Sequence, residues 1–435
     1  MRVLYRYLIR PLLELFARIA AMFSPRLKQA LAGRREWRTR LPDNLAGEGG
    51  GARIWVHAPS LGELLLVEEV LRQLPAQPLP RRILVTVTSP SALGHAGTIS
   101  EEVRFATFLP PDSKKAMDRL LDDFKPGLIL ISQYDIWPNM VWEAAARKIP
   151  MALVGAALRP GSSKTSGPPR SLYRDLYGRL DYVGAISEAD RQRLADLGVS
   201  ADRLELTGDP RFDRVARMTE ELSVPDLPLP ADRLWLVAGS TWPEDEQHLL
   251  PALVTAREPL PELSLAIAPH EVTARRLEEI EDAVEALGLS CVRFSQIVVG
   301  EPCPEVVIVD RFGLLIGLYA IADIAYVGGG FGEGVHNVLE PASRGAPIMF
   351  GPAYDNAREA RMLVQHKLAV PGQTAEDFSV QLEEWLLDED RREKLRRQAK
   401  ELVEQNCGAA PRTARALCSR FTAVLGEPPP ESGHA

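Results

Sequence analysis

From residue 54 onward, short apolar runs alternate with helical patterns, and that alternation confines the chain to parallel βαβ units. Apolar runs at 54–57, 83–87, 128–132, 152–154 and 182–186 read as strands. Helical periodicity at 63–73, 114–124 and 139–147 separates them. Around residues 223–231 the chain turns proline-rich, as linkers do. The pattern then restarts, with apolar runs at 234–238, 263–268, 306–309, 321–327 and 346–350. Two such halves predict an α/β chain of two Rossmann-like domains with parallel sheets. A length of 435 residues, 46% of them hydrophobic, suits two ordinary cores rather than one.

The stretch Gly328-Gly329-Gly330-Phe331-Gly332-Glu333-Gly334 follows one of these strands and leads into a short helical segment. Open α/β sheets build anion sites from this order of elements. The glycines, Gly329 and Gly330 among them, let the backbone approach a phosphate, and the helix start offers N–H groups. Glu340 is expected about one turn inside that helix, able to accept hydroxyl hydrogen bonds from a sugar. On the glycines alone, a plain turn between strands stays equally open.

Charge is unevenly spread. Residues 1–40 hold ten Lys/Arg and two Glu, so +8, against −16 for the rest of a chain of net charge −8. An acidic body without a basic, aromatic stripe argues against a nucleic-acid partner. Leu4, Leu8, Leu12, Leu15, Phe16, Ile19 and Phe23 recur at helical spacing, with Arg2, Arg6, Arg10 and Arg18 largely off that stripe. The pattern predicts an amphipathic basic helix, kinked near Pro11, that lies on an anionic membrane surface or packs on the core. Arginines interrupt the apolar stretch, so no cleavable signal peptide is expected. Cys291, Cys303, Cys407 and Cys418 show no metal spacing and read as reduced thiols. The expected boundaries are 1–45 for the membrane-associating segment, 46–222 and 223–426 for the two domains, and 427–435 for a disordered tail.

Seven blocks in a fixed order carry a family resemblance. They are Trp55-Val56-His57-Ala58-Pro59-Ser60-Leu61-Gly62-Glu63; Ile136-Trp137-Pro138-Asn139; Gly208-Asp209-Pro210-Arg211-Phe212-Asp213; Ala238-Gly239-Ser240-Thr241; the run from Leu318 to Gly330; His336-Asn337-Val338-Leu339-Glu340-Pro341; and Phe350-Gly351-Pro352 with Asn356 and Glu359. In their order and spacing the chain resembles the bacterial Kdo transferases, the 3-deoxy-D-manno-octulosonic acid transferases of lipopolysaccharide synthesis. The resemblance spans about residues 54–417. It implies the two-domain GT-B glycosyltransferase fold, with the active site between the domains. It also implies CMP-Kdo as donor, a lipid A precursor as acceptor, inversion, and a place at the cytoplasmic face of the inner membrane through an N-terminal monotopic anchor.

Carried over block by block, the resemblance makes Glu63 the general base. Read alone, Glu63 is a first-turn acid that complements a helix dipole, which would keep it ionised and weaken it as a base. Arg211 is a cation that could clamp the donor phosphate or the Kdo carboxylate, or simply pair with Asp209 or Asp213. Ser240 and Thr241 become donor ligands by resemblance only, because Glu244, Asp245 and Glu246 follow them and would repel a phosphate. His336, Asn337, Glu340, Asn356 and Glu359 complete the donor side, with helix capping the plainer reading of Asn356. Ser60, Gln133 and Asp135 are candidates for acceptor or Kdo contact. Gln133-Tyr134-Asp135 stands where the family usually has Glu-Thr-Glu. No metal and no cofactor are expected. Two other readings stay open: a GT-B enzyme with a different nucleotide sugar, and a catalytically silent membrane-associated scaffold.

Overall fold

The computed structural model describes residues 1–45, 51–77, 81–222, 227–298, 302–332 and 334–428. Residues 223–226 of the expected linker, and 429–435 of the expected tail, lie outside them. The chain forms two compact units, Met1–Arg214 with Asn406–Ala435, and Val215–Gln405.

The first unit is built on seven parallel strands: β1 (Arg53–His57), β2 (Arg82–Val87), β3 (Val103–Phe108), β4 (Leu128–Ser132), β5 (Met151–Ala156), β6 (Tyr182–Ala185) and β7 (Leu204–Leu206). Their order is β3-β2-β1-β4-β5-β6-β7, so the chain reverses direction across the sheet between β1 and β4. Alternate residues feed two cores: Trp55 and Ile129 pack with Trp142 and Phe124 on one face, Ile54 and Val56 with Leu64 and Val67 on the other. Burial on both faces is why these strands read as continuous apolar runs.

The second unit repeats the plan with β8 (Leu234–Thr241), β9 (Leu263–Pro269), β10 (Cys291–Arg293), β11 (Val306–Ile308), β12 (Ile324–Val327), β13 (Ile348–Phe350) and β14 (Ala369–Pro371), in the order β10-β11-β9-β8-β12-β13-β14. Here the reversal falls between β8 and β12. The run 321–327 is not all strand: the helix Leu315–Ile321 ends inside it before β12 begins.

The C-terminal boundary differs from the sequence expectation of 223–426. The helix Ala409–Arg420 and the short helix Thr422–Leu425 belong to the first unit. Leu417, Cys418, Phe421 and Leu425 are buried in its core beside Ile54 and Ile83. Asp213 fixes the start of that helix by accepting N–H bonds from Gly408 (2.6 Å) and Ala410 (3.0 Å), so it is a cap rather than a partner of Arg211.

The N-terminal segment is helical, with a π-helical turn over Tyr5–Ile9 directly ahead of Pro11 in the helix Arg10–Ala20. That helix buries none of its residues, and Tyr7, Phe16 and Phe23 are 80, 66 and 84% exposed. The apolar stripe is therefore not a core face. The polar side is the one that packs. Tyr5 donates to Asp112 (2.7 Å), and Arg6 donates to Asn139 (2.8 Å) and pairs with Glu143. Arg34 donates to the Leu109 and Pro110 carbonyls. Much of the basic charge expected to face a membrane is thus committed to the protein body. No helix of the described residues is long and apolar enough to cross a membrane.

Candidate functional site

In the first unit, the loops after β1 and β4 meet at the switch point, where open α/β sheets put ligands. Ser60 is the N-cap residue of the helix Leu61–Arg72 and makes no side-chain cap bond. Glu63 follows in the first turn, and Ser132 at the end of β4 donates to its main-chain carbonyl at 3.1 Å. Its Oε1 accepts from the Tyr134 hydroxyl at 3.4 Å, while Oε2 is buried without a hydrogen-bond partner among the described residues. Burial pushes the Glu63 carboxyl above its ordinary range and nearby Asp135 adds to this, whereas a backbone N–H, Tyr134 and Arg211 oppose it. The expectation of a dipole-weakened base is therefore reversed: desolvation outweighs the helix start.

The turn beyond β4 is held in an unusual conformation. Gln133 adopts a left-handed φ of +58°, a region that costs a non-glycine residue about 1 kcal/mol or more. Its N–H still bonds the Val154 carbonyl at 2.8 Å. Asp135 is drawn inward. Its Oδ2 accepts from His57 Nε2 (2.9 Å) and Trp137 Nε1 (3.0 Å). Burial pushes its carboxyl up, but His57, the Trp137 hydrogen bond and the charge of Lys164 together outweigh this and hold it below the ordinary range. His57, fully buried, sets its other nitrogen 3.0 Å from the Thr86 hydroxyl, which accepts from Trp55 Nε1 at 2.8 Å. A carboxylate only accepts, so Nε2 carries the hydrogen toward Asp135. Sequence reasoning gave His57 no role; a polar residue closing the apolar run Ile54–Val56 was the available signal.

Arg211 pairs with Asp209, two residues away in the same unit, at 2.7 Å through NH2. Its guanidinium also acts on Glu63 through space. Trp142, expected in the core, is fully buried.

In the second unit, three rings stack where β8, β9 and the glycine-rich loop end. The ring centres of Trp242 and His270 are 4.6 Å apart, those of His270 and His336 4.5 Å. Trp242 Nε1 donates to His336 Nε2 at 2.9 Å, so His336 carries its hydrogen on Nδ1 when neutral. Burial, and then the neighbouring His270, push the His336 imidazole below its ordinary value. His270, the ring stacked on both of the others, is exposed.

The glycines serve the chain's own crossings. A Cβ on Gly328 would lie 2.2 Å from the Ser240 carbonyl oxygen, and one on Gly330 2.4 Å from the Gly351 nitrogen. Ser240 itself has a left-handed φ of +57°, the counterpart of Gln133 in the other unit. The Gly329 N–H points inward and donates to Asp245 at 2.8 Å. Fully buried Asp245 also accepts from the Trp242 N–H and the Tyr326 hydroxyl, each at 2.9 Å. The acid expected to repel a phosphate is thus the knot that holds the loop. Thr241 is buried and donates to Glu246 (2.8 Å), which in turn pairs with Arg276. Its hydroxyl is therefore spoken for within the unit.

Glu340 is the second residue of the six-residue helix Leu339–Arg344, not a turn inside it. Its Oε1 accepts from Asn337 Nδ2 at 3.0 Å, and Asn337 Oδ1 accepts the Leu339 N–H at 3.1 Å. Asn356 lies against Gly334 and is not a cap: Ala357 is the N-cap of the helix Arg358–Gln365, with Glu359 in its first turn. Among the described residues no three His, Cys, Asp or Glu side chains converge as a metal site.

Residues 27–214 match the family model described as 3-Deoxy-D-manno-octulosonic-acid transferase (kdotransferase), a match that ends where the first stretch of the first unit ends. A 3-deoxy-D-manno-octulosonic acid transferase of Bordetella pertussis is 29% identical over 84% of this chain and 87% of its own length. One from Haemophilus influenzae is 25% identical over 93% of this chain and 94% of its own. The chain is thus similar to Kdo transferases over most of its length. Among solved structures, two UDP-N-acetylglucosamine 2-epimerases share the fold: the one from Neisseria meningitidis at 14% identity with a TM-score of 0.58, covering 81% of this chain and 99% of its own, and another at 16% with a TM-score of 0.61, covering 89% and 100%. These likenesses establish the two-domain GT-B architecture and nothing about substrate.

Proposed function

We propose that the chain transfers Kdo from CMP-Kdo to a lipid A precursor, with inversion and with Glu63 as general base. The observation that carries this reading is the Glu63 carboxylate. It stands at the switch point with one oxygen buried and unpartnered, and with its affinity for a proton raised by burial. A base must receive a proton, and a desolvated carboxylate receives one more readily than a solvated one. The acceptor hydroxyl attacks the anomeric carbon and its proton passes to Glu63. The bond from that carbon to the phosphate oxygen breaks, and CMP departs with the electron pair. The second unit supplies the donor side: the Trp242–His270–His336 ring cluster suits contact with a nucleotide base, and Glu340, steadied by Asn337, suits ribose hydroxyls. Mass spectrometry of the product from purified protein, CMP-Kdo and lipid IVA tests the whole reading. No Kdo adduct under saturating substrates would end it.

Glu340→Ala is expected to weaken CMP binding by about 1–3 kcal/mol, the loss of charge-assisted hydrogen bonds. Calorimetric titration checks this, and wild-type affinity in the variant would remove the ribose assignment.

The exposed N-terminal face is the part that meets the membrane in this reading. Deleting residues 1–40 would be a poor test, because Tyr5, Trp37 and Gly33 sit in or against the body of the first unit. The cleaner variant is Leu12→Ser, Leu15→Ser, Phe16→Ser and Ile19→Ser, all exposed positions. It is expected to shift the protein from the vesicle pellet to the supernatant while leaving the melting temperature unchanged. Undiminished co-sedimentation at both low and high salt would put the anchor elsewhere.

A further inference from the structure

The helix Ala409–Arg420 turns a row of cations away from the core it completes. Thr413, Ala414, Leu417 and Cys418 are buried, so the residues between them face outward. Arg412, Arg415, Ser419 and Arg420 recur at helical spacing on that outward side. Opposite them is β7, the last strand of its sheet, with Glu205 and Leu206 exposed. Helix and edge strand together line a cleft of about 560 Å³, a volume that suits a small molecule. Three guanidiniums, Arg412, Arg415 and Arg420, line it against one carboxylate, Glu205, with Leu206 as an apolar wall and Ser419 as a hydroxyl. β7 is three strands from β4, so the cleft lies about 14 Å across the sheet from the switch point.

Main-chain carbonyls hold two of these guanidiniums in place. Arg412 donates to the carbonyls of Thr207 (3.0 Å) and Cys407 (3.4 Å), and Arg420 to those of Asp181 (3.0 Å) and Asp202 (2.5 Å). Neither forms an ion pair with Glu205 or any other carboxylate among the described residues. The exposed Asp202 carboxylate pairs with Arg203 at 3.9 Å and feels Arg420 only through space. A guanidinium carries five N–H hydrogens, of which Arg420 spends two here and Arg412 three. Converging guanidiniums with hydrogens to spare match the oxygens of a phosphate. We propose that this cleft binds a phosphate-bearing small molecule, with Arg412, Arg415 and Arg420 around its oxyanions and Leu206 against its carbon skeleton. The site stands apart from the transfer chemistry and does not rest on the transferase reading. A free phosphorylated metabolite and the phosphate of a lipid headgroup share this chemistry.

The experiment titrates inorganic pyrophosphate, and separately a short-chain phosphatidate below its micellar concentration, into the full chain by calorimetry. CMP is present in excess throughout, to occupy a nucleotide site. Arg420→Gln and the double variant Leu206→Glu/Ser419→Glu are compared with wild type. The double variant removes no guanidinium and adds two carboxylates at exposed positions of the cleft. Each variant is expected to weaken anion binding about tenfold or more, the size of one charge-assisted contact, while CMP affinity measured alone is unchanged. Tighter binding of pyrophosphate assigns the cleft to a free anion and tighter binding of phosphatidate to a lipid headgroup; either upholds the site. Wild-type anion affinity in both variants would overturn it, as would the lack of any binding of either probe to wild type. Should Arg420→Gln fail to fold, Leu206→Glu/Ser419→Glu decides alone, because it leaves every arginine tether in place.

Discussion

Glu63→Gln is expected to lower turnover by about 10²–10⁴-fold while leaving CMP affinity unchanged. The amide keeps the size of the side chain but cannot take the hydroxyl proton. Stability moves the other way. Burial raises the Glu63 pKa, so the folded state holds that proton more tightly than the unfolded chain does. Above the folded pKa the ionised carboxylate therefore destabilises the fold, and this penalty fades as pH falls through the folded pKa toward the ordinary value. Glu63→Gln should thus melt above wild type at neutral pH, with the gap closing as the solution is acidified. Scanning calorimetry across that range, beside the transfer assay, checks both limbs. An inactive variant with an unchanged melting temperature at every pH would mean the carboxylate is better solvated than its buried Oε2 implies. A variant with near-normal turnover would remove Glu63 as base.

Asp245→Ala should be the most damaging single change in the second unit. It strands three donors at once: the Gly329 and Trp242 N–H groups and the Tyr326 hydroxyl. Each buried, unmet donor costs about 1–3 kcal/mol, so three cost about 3–9 kcal/mol. For a unit of this size the melting temperature should fall on the order of 10 °C. Donor binding should fall with it, because the knot sets both the glycine-rich loop and the Trp242 end of the ring stack. Asp245→Asn keeps one acceptor oxygen and should lose less. An Ala variant that melts within about 2 °C of wild type would show that water replaces the carboxylate and that the loop does not depend on it.

The contrast between Glu63 and Asp245 shows what could be read from the residues alone. Strands such as β1 and β4 are buried on both faces, so their apolar runs announce them. β7, with Glu205 and Leu206 exposed, has no such signature. Glu63 was legible because it belongs to an ordered block, Trp55 to Glu63, that resembles a family. Asp245 and His57 draw their meaning from partners 84 and 78 residues away in sequence. Local pattern reads Asp245 as a first-turn acid, and only the fold turns it into an acceptor for a distant loop. Glu340 was placed one turn too deep because the asparagine-braced turn before it consumes residues that a helical pattern would count as helix.

The return of the last helix to the first unit has a consequence for biosynthesis. Val215–Gln405 is one uninterrupted stretch and can complete its core as soon as it leaves the ribosome. The unit that begins first cannot. One apolar face of its sheet waits for Leu417, Cys418, Phe421 and Leu425, which are made only after the whole of the second unit. Chains usually finish their domains in the order of synthesis; here the later-begun unit closes first. A nascent or truncated chain ending before residue 406 would therefore present an open hydrophobic surface, and the cell's quality control would meet it as an unfinished protein.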